Sequence, residues 1–121
     1  MVKLLFDTCI LIDYLNGVEK AKWELDLPTD KAISVITWMD VMSCATAETE
    51  AAIKGFLGQF ASVPVDETIA ALAVKLRARH RIKLPDAIVW ATALTNSRIF
   101  VTRNTKDFAS SEPGVRVPYE L

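Results

Sequence analysis

The chain has 121 residues, enough for one domain with its own apolar core, and its 51% hydrophobic content excludes a disordered polypeptide. The formal net charge of −1, from 14 Lys and Arg against 15 Asp and Glu, excludes a domain that holds nucleic acid by bulk positive charge, though not a local basic patch. No apolar run approaches the roughly 20 residues of a membrane span.

The first 15 residues, MVKLLFDTCILIDYL, are interrupted by Asp7 and Asp13 and lead to no small-residue cleavage site. They read as a buried strand and helix rather than a signal peptide. Val2–Phe6 is a short continuous apolar run, the pattern of a strand covered on both faces of a parallel sheet. Thr8–Leu15 reads as a helix stopped by Asn16-Gly17, and Glu19–Leu25 as a second helix ended by Pro28. Ala32–Val35 is the next strand, and Thr37 to Thr46 the next helix. Ala47–Phe60 carries Ile53, Phe56, Leu57 and Phe60 on one stripe.

Ser62–Val65 reads as a third strand. Asp66–His80 is a helix with Ile69, Leu72, Ala73 and Leu76 turned inward. Leu84–Asn96 is a helix opened by Pro85, which suits a first helical position. Ile99–Thr102 is a fourth strand and Val115–Val117 a fifth. Strands alternating with helices predict a single domain over residues 1–121, an α/β/α sandwich around a mostly parallel sheet of four to five strands.

Cys9 and Cys44 sit among apolar neighbours without a CxxC pair. They read as buried thiols of a reduced, cytoplasmic protein. His80 is the only histidine and lies in the basic stretch RARHRIK, so neither a His-rich metal site nor a Ser-His-Asp triad is supported. Trp38 and Trp90 read as core or interface residues.

Four acids fall at or near junctions of these elements. Asp7 follows the first strand, Asp40 lies in SVITWMDVM, Asp86 opens the helix LPDAIVWATAL, and Asp107 sits in the turn TRNTKDF after the fourth strand. Each has an ordinary structural explanation. Asp7 caps the helix that starts at Thr8. Asp40 follows Thr37 by three residues, as in a capping box. Asp86 meets the positive end of its helix dipole, and Asp107 caps a turn. Taken jointly they suggest more, because strand ends in such a fold converge on one edge. No Lys or Arg stands beside Asp7, Asp40 or Asp86 in sequence. Carboxylates crowded without cations repel one another, and a divalent ion relieves that; all-oxygen ligands point to Mg²⁺ or Mn²⁺.

Such an ion supports phosphodiester hydrolysis without a nucleophilic side chain. Asp7 and Asp86 are the expected direct ligands. Asp40 binds a second ion or orients the water, and Asn104 and Asp107 complete the shell. Thr8 and Thr102 orient ligands. Arg103, Lys106 and Lys83 are placed to meet substrate phosphates.

FDTCILIDYL, SVITWMDV, LPDAIVWATAL and FVTRNTKDF, in that order, resemble the four motifs of the PIN domain, and more narrowly those of VapC-type ribonuclease toxins of prokaryotic toxin–antitoxin pairs. The resemblance spans essentially the whole chain. It implies a Mg²⁺-dependent endoribonuclease that acts on RNA, a homodimer, and inhibition by a small cognate antitoxin. By position Asp7 matches the first family acid and Asp86 the third. Asp40 stands where the family usually has Glu, and Asn104 where many relatives have Asp. Those two departures motivate a competing reading, a catalytically weak module that keeps the fold and binds RNA or protein. A phospho-acceptor signalling domain fits less well. Asp7 has no adjacent acid, and that class leaves Asp40 and Asp86 without a role.

Overall fold

The computed structural model describes residues 1–121. The elements in chain order are β1 (Lys3–Phe6), α1 (Thr8–Leu15), α2 (Glu19–Asp26), β2 (Asp30–Ser34), α3 (Val35–Met42), α4 (Glu50–Leu57), β3 (Ala61–Val63), α5 (Glu67–His80), α6 (Leu84–Thr95), β4 (Ile99–Val101) and β5 (Val115–Arg116). Every strand pairing is parallel, in the order β3-β2-β1-β4-β5. No helix is long and apolar enough to cross a membrane.

Side-chain alternation along the strands builds two cores. Leu5, Ala32 and Phe100 point to one face, where they meet Ile69, Ala73 and Leu76 of α5 and Ala87, Trp90 and Ala91 of α6. Leu4, Phe6, Ile33 and Val101 point to the other, against Ile10 and Leu11 of α1, Leu25 of α2, Val41 of α3 and Leu57 of α4. Helices thus cover both faces, which is why β1 is apolar throughout its buried length and does not alternate with polar residues.

Several boundaries differ from those expected, for physical reasons. The β-branched Ile33 and Val35 suggest a strand to Val35, but the strand stops at Ser34. There the Ser34 hydroxyl accepts from the Ile36 amide at 3.1 Å and caps α3. Thr37 is therefore not a cap. It lies inside α3 and is fully buried. The helix expected from Ala47 starts at Glu50, because Thr46 and Thr49 bond each other's backbone amides in a turn, at 2.8 and 3.3 Å. Pro85 is the second residue of α6, with Leu84 the first. Asp66 caps α5 as expected, accepting from the Ile69 amide at 2.8 Å. Cys44 is exposed and not a core thiol, since it falls beyond the end of α3, whereas Cys9 is half-buried. Trp90 is buried and Trp38 is half-buried against the α1–α4 core.

Candidate active site

β1 is the central strand, with β2 on one side and β4 on the other. A crevice is expected where the strand order reverses, beyond the carboxyl ends of such a pair. The register places Phe6 beside Val101, so the next residues, Asp7 and Thr102, face each other at that end. Their contact is direct: Thr102 Oγ1 donates to Asp7 Oδ2 at 2.7 Å. The Asp7 backbone amide also donates to the Val101 carbonyl at 2.8 Å, fixing the pair.

Asp7 is 5% exposed. Its carboxylate accepts from the Thr8 amide at 2.9 Å, so the capping explanation holds as well. The Cys9 thiol stands 3.7 Å away. Burial pushes the Asp7 pKa up to about 6, against the lowering effect of the Thr102 and Thr8 bonds and with help from the Asp86 charge. Cys9 is pushed up to about 11 by burial and then by the neighbouring Asp7 charge, and is an unreactive thiol at neutral pH.

Asp86 reaches the crevice from the first turn of α6. Its pKa is raised by partial burial and then by the charges of Asp107 and Asp40, while Lys83 opposes the rise. Asp40 projects from α3 and is exposed. Thr8 Oγ1 lies 3.1 Å from Thr37 Oγ1 and 3.4 Å from Asp40 Oδ2, tying α1 to α3 at the site.

The turn after β4 is self-bonded. Asn104 Nδ2 donates to Asp107 Oδ2 at 2.9 Å, and the Asp107 amide donates to Asn104 Oδ1 at 3.3 Å. The Asn104 amide donates to Thr102 Oγ1 at 3.0 Å, which links the turn to Asp7. Phe108 anchors the far end. Its ring is 2% exposed, edge-on to Trp90 and Phe100 at centroid distances of 5.4 and 4.9 Å.

These groups surround one open cavity of about 570 Å³. Asp7, Thr8, Asp40, Asp86, Arg103, Asn104 and Lys106 all line it. Thr102 lies beneath the floor, bonded to Asp7. Asp107 stands behind Asn104 and acts on Asp86 through its charge, and Lys83 occupies the N-cap position of α6, without a side-chain capping bond, where its charge acts on Asp86. No three Asp, Glu, His or Cys side chains converge closely enough to enclose an ion by themselves.

Arg103 is more engaged than its sequence position suggests. Its Nε and Nη2 donate to the two oxygens of Asp13, at 2.6 and 3.0 Å. Asp13, on α1, was visible in sequence only as a charge breaking an apolar stretch. A partner 90 residues away leaves no local signal.

A contrast among buried acids singles out Asp7. Asp13 and Glu24 are buried to a similar degree, 6% and 5% exposed, and each is neutralised by an arginine, Arg103 at 2.6 Å and Arg116 at 2.7 Å. Asp7 has no cationic side chain, only an amide, a hydroxyl and a thiol. A buried carboxylate left in that condition is costly, and functional sites are where such costs accumulate.

The PIN-domain family model matches residues 4–110. No curated protein sequence matches the chain. Among solved structures, a toxin–antitoxin complex from Klebsiella pneumoniae is 45% identical over 98% of this chain and 99% of that one, with a TM-score of 0.92. FitAcB from Neisseria gonorrhoeae is 24% identical over 95% and 97%, with a TM-score of 0.76, and VapBC2 from Rickettsia felis bound to a promoter DNA fragment is 18% identical over 100% and 99%, with a TM-score of 0.78. The last two speak for the fold. The chain belongs to the PIN-domain family, and within it is similar to the VapC-type toxins.

Proposed function

We propose that this protein is the toxin of a toxin–antitoxin pair, a Mg²⁺-dependent endoribonuclease that hydrolyses RNA phosphodiester bonds. The observation that carries the reading is Asp7, a buried carboxylate without a cation in a cavity it shares with Asp40 and Asp86. The donor set fits a hard divalent ion. It is all oxygen, and Asp7 is buried with no cationic side chain bonded to it, while burial first and neighbouring carboxylates second raise the pKa values of Asp7 and Asp86. Sites that supply few protein ligands suit Mg²⁺ (or Mn²⁺), which keeps several waters.

Asp7 and Asp86 would hold the ion. It would supply a water of lowered pKa and offset charge on the leaving oxygen. The residues of the chain do the rest. Thr102 and the Thr8 amide fix the Asp7 carboxylate. Thr8 steadies Asp40, which orients water or an ion through water. Asn104, held by Asp107, presents its amide group to the cavity. Lys106, Lys83 and Arg103 meet the phosphates. The protein partners of that role are a cognate antitoxin and a second copy of the chain. Exposed apolar side chains such as Trp23, Met39 and Val74 are consistent with covered surface.

The test is cleavage of labelled RNA with Mg²⁺, with EDTA, and with Asp7→Asn and Asp86→Asn. Activity should require the metal and both acids. Cleavage that survives EDTA or both substitutions overturns the reading. The second reading, a weak catalyst that serves as a binding module, draws on the exposure of Asp40 and on the mutual bonding of Asn104 and Asp107. RNA binding without cleavage at any Mg²⁺ concentration would favour it.

A further inference from the structure

Lys106 and Arg103 both line the cavity, but only Arg103 is held. Asp13 grips one edge of its guanidinium through Nε and Nη2. Asp13 is gripped in turn by the C-terminal segment, where Tyr119 Oη donates to Asp13 Oδ2 at 2.7 Å. Both Asp13 and Tyr119 are buried, at 6% and 8% exposure, whereas the Arg103 side chain is 32% exposed. The backbone around Arg103 is fixed too. Its amide donates to Cys9 Sγ at 3.5 Å, between the bonded residues Thr102 and Asn104. Nη1 makes no bond within the protein. A bidentate carboxylate commits one face of the planar fork and leaves the other donors in a set direction.

We propose that Asp13 and Tyr119 are positioning residues, which hold Arg103 by one edge so that its free donors meet a phosphate of RNA in the cavity. The proposal rests on the nuclease reading above. A long side chain that is already immobilised loses less freedom when the phosphate arrives, so the contact gains affinity without a new group. Lys106, exposed and without a partner, must lose that freedom on binding. The alternative is a structural buckle, in which the triad only fastens the C-terminal segment to α1.

Binding of a short single-stranded RNA, measured in EDTA so that no turnover occurs, separates these. It is paired with steady-state cleavage in Mg²⁺ and with thermal melts of Asp13→Asn, Tyr119→Phe, Arg103→Lys and Arg103→Ala. Positioning predicts that Asp13→Asn raises Kd and KM about tenfold with kcat within about threefold. Tyr119→Phe, which removes one oxygen and keeps the ring, should raise both about threefold. Arg103→Ala should lower the slope of log Kd against log salt by about 0.7, the loss of one phosphate contact to a single strand. Arg103→Lys should keep that slope but not the affinity. A melting temperature that falls while Kd and KM stay at the wild-type value in Asp13→Asn or, should that variant not fold, in Tyr119→Phe overturns the proposal. So does a loss confined to kcat. If wild-type protein neither binds nor cleaves RNA, the nuclease reading fails with it; if wild type does both and the variants match it, only the positioning role fails.

Discussion

At the amino edge of the sheet, Arg98 sits just before β4 with its side chain 13% exposed. Its Nη1 donates to the carbonyls of Leu4 and Asp30, both at 3.1 Å, and to the Asp30 carboxylate at 2.9 Å. One cation there serves three acceptors on two strands. At the carboxyl edge of the same strands, Asp7 is more deeply buried than Asp30 and receives no cation. The amino edge is built for stability, and its charges cancel. The carboxyl edge keeps an uncancelled charge at the crevice, where the cavity opens. In folds of this kind the two ends of a parallel sheet commonly divide labour in this way.

Substitutions should expose that division. The largest effect belongs to Asp7→Asn. On the proposed role of Asp7 as an ion ligand, cleavage should fall at least about 100-fold. Yet the metal-free protein should become more stable at neutral pH, because a buried charge has gone. Denaturant melts in EDTA check the second half; a destabilised Asp7→Asn would contradict the contrast between the edges.

The pH dependence comes next. The folded-state pKa of Asp7, about 6, lies above its ordinary value of 3.8, so the fold prefers the protonated acid. Stability from this group is full below about pH 4 and is lost as pH rises through 6. The difference is on the order of 3 kcal/mol, at 1.36 kcal/mol per unit. Wild type and Asp7→Asn should diverge over that window in EDTA, and saturating Mg²⁺ should close the gap. Arg98→Ala should act in the opposite sense. It should destabilise by about 1–2 kcal/mol at pH 7 by removing the donor shared by the Leu4 and Asp30 carbonyls, with the cleavage rate of the folded fraction unchanged. The smallest effect is expected for Asp40→Glu. The added methylene should tighten Mg²⁺ binding a few-fold, read by titration calorimetry, at a site where Asp40 now stands exposed.

Much of this edge was legible from the chain. A continuous apolar run followed at once by an acid gives Asp7 its place, and Pro85 just ahead of Asp86 fixes a helix start. These are local signals, as is the alternation that predicts the layers. The strand order is not local, and it decides that Asp7 meets Thr102 rather than another neighbour. The start of α3 was hidden because Val35 and Ile36 favour strands, while the Ser34 cap outweighs that preference. The same limit hid the pairings of Asp13 with Arg103 and of Glu24 with Arg116, whose members lie 90 and 92 residues apart. Arg103 looked like a free cation for that reason, and its grip by Asp13 is known only from the fold.

The bond between Thr102 and Asp7 spans 95 residues of sequence, and it closes only when β4 docks beside β1. Closing a loop over such a distance costs chain entropy, and long-range parallel pairing is intrinsically slow. β1 pairs with β2 27 residues on, at Lys3 and Asp30, but with β4 only 95 residues on, at Leu4 and Ile99. A chain whose β4 has not docked, or has peeled away, lacks the bond from Thr102 to Asp7. Assembly of the crevice is therefore tied to the docking of β4 on β1.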